Sequence, residues 1–375
     1  MTSVRREWLF SLVLATLCIG LLFVDLAPPQ RDFSSFHARG LVIEVDNSHV
    51  RTHQFIRTEF QVLTVRLLGG PHKGSELTIT NLLSGKLEFD EFYEEGRQIL
   101  VEYGLVDGEP ANGAARGHYR LHLQALLIGL YVALLVVVAG VTGLKAALSF
   151  VFAAIVLWKL FFPLLLMGYP PLLTGFLVVA LLTAAVTFSV GGLNRRGTAT
   201  FLGSMLGVLL TCVLAIWFTG SFQLHGAVRP FGEALLFAGH YDLNLTHIFI
   251  ASVFIACSGA VMDLAMDIAA AMEEIKLSNP DIGLVAHIGS GLRVGRAVVG
   301  TMTTTLLLAY SSSHIFMFML VMSKGLPSLN ILNAPFVSAE ILNILVGSFG
   351  LVTVAPFTAV IAGLLYRSRI RATSA

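Results

Sequence analysis

Long apolar runs separated by short polar breaks fill most of the chain, and one hydrophilic stretch interrupts them near its beginning. Residues 8–27 are apolar apart from Asp25. Seven further apolar runs fall near residues 121–143, 146–167, 171–193, 198–219, 245–271, 296–322 and 338–366. Each reaches the roughly 20 residues that a helix needs to cross the hydrocarbon layer. The pattern predicts an α-helical integral membrane protein with about eight transmembrane helices. The first run exceeds the roughly 7–15 residues of a signal-peptide core, and no small-residue cleavage site follows it. It reads as a retained anchor that ends at Pro28-Pro29.

Between the first and second apolar runs the polarity alternates with a period of two, as in half-buried strands. The alternating segments are residues 40–45, 60–68, 76–81 and 98–103. Gly69-Gly70-Pro71 and Lys73-Gly74 supply turn chemistry between the second and third. Four or five short strands predict a small β-barrel of the OB or SH3-like type between the first and second transmembrane helices. Residues 90–95 read as an acidic solvated loop, and Asn112-Gly113 as a flexible linker into the membrane. The predicted organisation is an anchor over residues 1–30, a β-rich domain over 36–108, a seven-helix membrane domain over 121–366 and a basic tail over 367–375.

Composition supports this division. Mean hydropathy is +0.80 and only 13% of residues are charged, too few to clothe a soluble protein of 375 residues. Residues 1–120 hold 12 of the 24 Lys+Arg and 15 of the 23 Asp+Glu. A net charge of +1 gives no reason to expect nucleic acid as a partner. Cys18, Cys212 and Cys257 all lie in apolar runs and read as small hydrophobes rather than a disulfide framework or metal motif. Lys145, Arg195, Arg196, Lys276, Arg293, Arg296 and the basic residues of both termini fall on one side of the predicted topology. The short loops of the other side carry only Arg229 and Lys324. The positive-inside rule then makes both termini cytoplasmic and the β-domain extracytoplasmic.

The segment most suggestive of chemistry is the sixth apolar run. Asp263, Asp267 and Glu274 fall on one face of a helix. Ionised carboxylates facing lipid cost several kcal/mol, so this face is expected to meet the bundle or water. Such a face is a candidate proton or cation relay. The competing reading has the aspartates pair with Arg293, Arg296 or Thr side chains and hold helices in register. Thr301, Thr304 and Thr305 on the next helix are candidate supporting groups. His118, His122, His225, His240 and His247 match no compact metal-binding spacing and read as interfacial, so no metal and no cofactor is expected. The chain has no Walker loop, dinucleotide fingerprint or nucleophile elbow and is not read as an enzyme.

The ordered set Gly259-Ala-Val-Met-Asp263, Glu274-Ile275, Gly295-Arg296, Gly300-Thr-Met302, Thr305-Leu-Leu-Leu-Ala-Tyr310, Glu340-Ile-Leu342, Gly347-Ser-Phe-Gly-Leu351 and Pro356 resembles the bacterial YibE/F family. The resemblance covers nearly the whole chain. It implies an anchor, a small extracytoplasmic β-rich domain and a multi-spanning block in the bacterial inner membrane, and it assigns no activity. In that family the position of Asp267 is often a small polar residue, which favours Asp263 and Glu274. A looser likeness joins these carboxylates and Thr303–Thr305 to the SecD/SecF and resistance–nodulation–division proteins.

Together these readings give an ion-coupled transporter or exporter as the expectation. The lipid bilayer, a coupling proton or cation, and a protein or small-molecule ligand at the β-domain are its expected partners. The alternative is a membrane scaffold, receptor or assembly factor acting through the β-domain.

Overall fold

The computed structural model describes residues 3–24, 26 and 35–367. Asp25, the Pro28-Pro29 stop and the tail beyond residue 367 lie outside the described residues. The chain divides into two compact units, residues 29–134 and residues 1–28 with 135–375. Helix α1 (Ser3–Phe23) opens the second of these.

The smaller unit is one curled antiparallel sheet. Its strands are β1 (Phe36–Asp46), β2 (Arg51–His53), β3 (Ile56–Leu67), β4 (Glu76–Ser84), β5 (Gln98–Val106) and β6 (Glu109–His118). They pair in the order β2-β3-β1-β5-β6, with β4 also on β3. Strict alternation along β4 buries Leu77, Ile79, Asn81 and Leu83 and leaves their neighbours exposed. Val42, Leu63, Val65, Ile99, Val101 and Tyr103 complete the core. A bulge between Val42 and Glu44 bends β1 and helps the sheet curl. The curl brings Gly113 of β6 against Leu77 and Ile79 of β4. No β4–β6 ladder forms among the described residues, so the domain is a half-barrel rather than the closed OB or SH3-like barrel expected. The Asn112-Gly113 segment, read as a linker, is part of strand β6 and extends the domain beyond residue 108.

The larger unit is helical. It comprises most of α2 (Leu121–Val156), a π-helical turn (Leu157–Phe161), α3 (Phe162–Leu166), α4 (Pro171–Val190) and α5 (Arg195–Ser221). After a 3-10 turn (Gly226–Val228) come α6 (Gly232–Phe237), α7 (Leu245–Ser278), α8 (Leu284–Ser313), α9 (Ile315–Ser323), α10 (Ser328–Leu332) and α11 (Pro335–Leu365). Asn194 and Asn244 cap α5 and α7, each accepting a hydrogen bond of 2.9 Å from a backbone N–H three residues on.

Among the described residues, five helical stretches are long and apolar enough to cross a membrane: Leu121–Leu166, Pro171–Val190, Arg195–Ser221, Leu245–Ser278 and Pro335–Leu365. The pair Leu284–Ser313 and Ile315–Ser323, bent by 66° at His314, makes a sixth. These helices embed the protein in a lipid bilayer. The expected eight spans are therefore corrected to five or six. The runs at 121–143 and 146–167 lie in one helical stretch, Leu121–Leu166, with a kink at Gly140 inside it rather than a break at Thr142-Gly-Leu-Lys145. In the first run, the described side chains make an apolar helix over Phe10–Phe23 within α1, which is not among the counted spans. The half-barrel thus precedes the counted spans rather than separating the first two of them.

Helix α7 is the central post, packed by α4, α5, α8 and α11. Small residues set the spacing. A methyl on Gly175 of α4 would stand 3.1 Å from the Phe254 ring of α7, and one on Gly207 of α5 would stand 3.3 Å from the Gly350 carbonyl of α11.

Candidate functional site

The inner face of α7 carries Val253, Phe254, Cys257, Val261, Leu264, Ala265, Ile268 and Met272, all buried. The 3.6-residue period then puts Ser252, Ala256, Gly259, Asp263, Asp267 and Glu274 on the opposite face, where all six are exposed. The predicted carboxylates do share one face, and it turns away from the bundle rather than into it.

Helix α8 runs antiparallel beside α7. Its Gly295 sits against Ile268, and His287 Nε2 lies 2.8 Å from the Met272 carbonyl. Arg296 is therefore level with Asp267 along the helix pair. Arg293, Arg296, Thr301, Thr304 and Thr305 are exposed too, so α7 and α8 jointly present an exposed polar surface. Among the described residues no ion pair joins these arginines to Asp263, Asp267 or Glu274. Arg293 donates to Ser290 Oγ at 2.8 Å. Thr301, Thr304 and Thr305 donate to the Val298, Gly300 and Thr301 carbonyls of their own helix.

A second polar group lies inside the bundle, near one end. Glu340 is only 1% exposed, in the second turn of α11. Its Oε2 accepts from Arg229 Nη1 at 2.9 Å and lies 3.4 Å from His314 Nδ1. His314 Nδ1 is also 3.2 Å from the Tyr310 carbonyl, and Nε2 is 3.2 Å from Arg229 Nη1. With its proton on Nδ1, a neutral His314 satisfies all three contacts. Arg229 also lies over the Phe249 ring, 5.1 Å from its centroid. Glu340 Oε1, Asn343 Oδ1 and the Tyr310 hydroxyl are buried without a hydrogen-bond partner. The sequence displayed Glu340 as the one acid in an apolar run, but its partners come from 111 and 26 residues away.

The opposite end of the bundle holds a basic cluster. Arg195 Nη1 donates to the Leu365 carbonyl at 3.2 Å, and the Tyr366 hydroxyl donates to the Ala269 carbonyl at 3.2 Å. A cleft of about 350 Å³ there is lined by Lys276, His287 and Arg367. Between the two ends, buried Thr200, Ser204, Thr211 and Thr219 follow one another along α5. Gly203 lies against Thr358 and Gly350 against Thr211, so the α5–α11 seam is both tight and polar.

In the half-barrel the loop read as solvated is instead pinned. Gln61, fully buried, donates to the Asn47 side chain at 2.7 Å and to the Tyr93 carbonyl at 3.1 Å. Its Oε1 accepts from Asn81 Nδ2 at 3.1 Å and from the Tyr93 N–H at 3.0 Å. Asn81 Nδ2 also donates to the Glu91 carbonyl at 2.8 Å. The Glu91 carboxylate accepts from the His118 N–H at 2.6 Å and pairs with Arg120 at 2.8 Å. Burial pushes the Glu91 carboxyl up, but the His118 N–H and the Arg120 guanidinium outweigh it and hold the group below the usual range. A cleft of about 460 Å³ opens between β4 and β6, lined by Asn81, Leu82, Phe89, Glu91 and Arg116 among others.

No curated protein and no solved structure matches the chain. Two family matches do cover it in the order the architecture requires. The YibE/F family N-terminal domain matches residues 36–114, the half-barrel. The YibE/F-like protein family matches residues 127–368, the helical block with both polar groups. The sheet followed by membrane helices, and the match over most of the chain, establish that this protein belongs to the YibE/F-like family.

Proposed function

We propose that the chain is an ion-coupled transporter, with Asp263 and either Asp267 or Glu274 relaying a proton or cation. The observation that carries this reading is the exposure of two carboxylates one turn apart on α7, a membrane-spanning helix of 34 residues, without an ion-pair partner among the described residues. Such groups are costly beside lipid and are retained where they meet water, a partner or a moving ion. Thr301, Thr304 and Thr305, with Arg293 and Arg296, line the same surface and modulate it. Substrate passes by conformational change of the bundle; no covalent chemistry is assigned to the protein.

In this reading the membrane is the bacterial cytoplasmic membrane, and both termini and the Arg195–Arg196 end face the cytoplasm. The grouping of Arg195, Lys276 and Arg367 at one end supports that orientation. Helix α1 acts as an anchor and the half-barrel stands outside the membrane, where it receives or gates substrate. Leu121–Leu166 crosses twice. Its 46 residues would extend about 69 Å if straight, more than two hydrocarbon thicknesses. Gly140 breaks it with φ 55° and ψ −129°, and Gly143 abuts the Leu135 carbonyl, so the chain bends sharply there.

The test is reconstitution of the full chain in proteoliposomes loaded with a pH-sensitive dye, under an imposed proton or sodium gradient. The wild type is expected to couple ion and solute movement, and Asp263→Asn to lose the ion dependence. Unchanged ion dependence in Asp263→Asn removes the relay role. The second reading, a receptor or scaffold, is favoured by the β4–β6 cleft, whose Leu82 and Phe89 are 76% and 63% exposed. It predicts function without any gradient and its loss in Leu82→Ser/Phe89→Ser.

A further inference from the structure

The unpartnered oxygens beside Glu340 form a site distinct from the exposed face of α7. Glu340, Asn343 and Gly347 stand at successive turns of α11, on one face. Gly347 leaves room there: a methyl at that position would stand 3.2 Å from Cys257 Cβ of α7 and 4.0 Å from the Tyr310 hydroxyl of α8. The Tyr310 hydroxyl borders this space and feels the Glu340 charge, and it, Glu340 Oε1 and Asn343 Oδ1 from the two preceding turns are each buried and each without a partner. Glu340 and Asn343 are 1% and 7% exposed. Buried polar atoms in native proteins are almost always satisfied, so three at one place point to an occupant.

The donor set defines that occupant. The carboxylate and amide oxygens only accept hydrogen bonds, and the phenol can donate or accept, so the ligand must bring positive charge or donated protons. Oxygen ligands favour hard ions. Among the described residues no three His, Cys, Asp or Glu gather as a transition metal would require. Neutral groups supply two of the three oxygens, and Arg229 already balances the carboxylate charge, so a divalent ion would be over-charged here.

We propose that Glu340, Asn343 and Tyr310 bind one monovalent cation, either a proton carried on Glu340 or a sodium-sized ion held among the three oxygens. This rests on the ion-coupled reading and adds to it a second, interior ion site. The groups facing Glu340 are Arg229 from the loop after the 3-10 turn, His314 at the break between α8 and α9, and Tyr310 from α8, with Cys257 of α7 beside Tyr310. Arg229 is the competitor. A cation on Oε1 weakens the hold of Oε2 on Arg229, whose side chain is 24% exposed and can move toward water. Occupancy of the site thereby controls the tether between α11 and the loop that precedes α6.

The experiment uses the purified full chain in nanodiscs, with no transport assay. Thermal unfolding is followed in sodium chloride against choline chloride at equal ionic strength. Infrared difference spectra are recorded across a pH titration. A sodium ion predicts a melting temperature that rises with sodium and not with choline. A proton predicts no sodium effect and a protonated-carboxyl band that titrates and vanishes in Glu340→Gln. Tyr310→Phe and Asn343→Val leave the Arg229 pair intact, so they remain informative should Glu340→Gln not fold. Each is expected to weaken sodium binding about tenfold, or to shift the carboxyl titration by about one pH unit. If neither a sodium shift nor a titrating band depends on these residues, the site holds only water and the proposal is overturned. Binding that survives while transport shows no ion dependence keeps this site and sinks the coupled-transport reading.

Discussion

Arg229 and Glu340 lie 111 residues apart in sequence and meet at 2.9 Å, with the carboxylate 1% exposed. The buried carboxylate has no water as a ready substitute for the guanidinium. Removing one partner leaves an uncompensated buried charge, which typically costs 3–5 kcal/mol, whereas replacing both by apolar groups is often near neutral. Arg229→Met alone is therefore expected to destabilise the bundle by about 3 kcal/mol or more, and Arg229→Met/Glu340→Leu to recover most of that loss. Thermal unfolding of the full chain in detergent measures both. A double variant as unstable as the single would show that the pair is not the source of the cost.

The α5–α11 seam makes a steric prediction. A side chain at Gly350 would run into Thr211 Oγ1, and one at Gly203 into Thr358. Gly350→Val is expected to cost about 1–3 kcal/mol through overpacking. Gly350→Ala/Thr211→Ala, which removes the obstructing oxygen, should restore part of it. Gly259, with nothing near it, accepts Ala with no comparable loss, and melting temperatures of the three variants test the contrast.

In the half-barrel, the Gln61 side chain serves four polar groups at once. Gln61→Leu keeps the volume, strands the Tyr93 N–H in the interior and leaves the Asn81 amide with only its bond to the Glu91 carbonyl. The expected cost is about 1–3 kcal/mol, and the segment 86–95 should loosen first. Hydrogen exchange read by mass spectrometry on the full chain checks this. Unchanged protection of residues 91–93 would rule the network out as their anchor.

Glu91 and Glu102 give the same unit a pH dependence. Burial raises Glu91, but the His118 N–H and Arg120 leave it lowered; the Arg116 hydrogen bond lowers Glu102, helped by the Ser35 hydroxyl. Both folded-state values lie below the ordinary 4.5, so near that pH the unfolded chain binds more protons than the folded one. The stabilisation is complete above that value and disappears as the pH falls through the lower, folded-state values. Hydrogen-exchange protection of residues 98–118 should thus weaken below about pH 4, and Glu91→Gln should remove part of that dependence by lowering protection at pH 7 more than at acid pH.

Much of this architecture is written in the chain. Run length identifies the membrane helices because a bilayer tolerates few other spanning forms. The four principal strands follow from alternation, as β4 shows at every position. Strand β6 escapes that reading because Glu109-Pro-Ala-Asn-Gly-Ala-Ala has no β-branched or aromatic residue; it is a strand through its pairing with β5. The clue was Asp107-Gly108, both at positive φ, a dipeptide suited to a tight hairpin. Helical periodicity places Asp263, Asp267 and Glu274 on one face, but it carries no information about which face packs. That depends on neighbours such as Ile268 against Gly295, which only the fold brings together. The Glu340 group is illegible for the same reason: each member looks like an isolated polar residue until three helices and a loop meet.

The pairing of β6 with β5 decides where this domain can be cut. A fragment ending at residue 108 would bare the β5 edge from Ile99 to Val106, offering Val101 and its neighbours to the next molecule as a template for intermolecular sheet growth. It would also discard both partners of the Glu91 carboxylate, the His118 N–H and Arg120. A fragment carried through Arg120 keeps that edge covered and that charge paired, and is the one expected to remain soluble and monomeric.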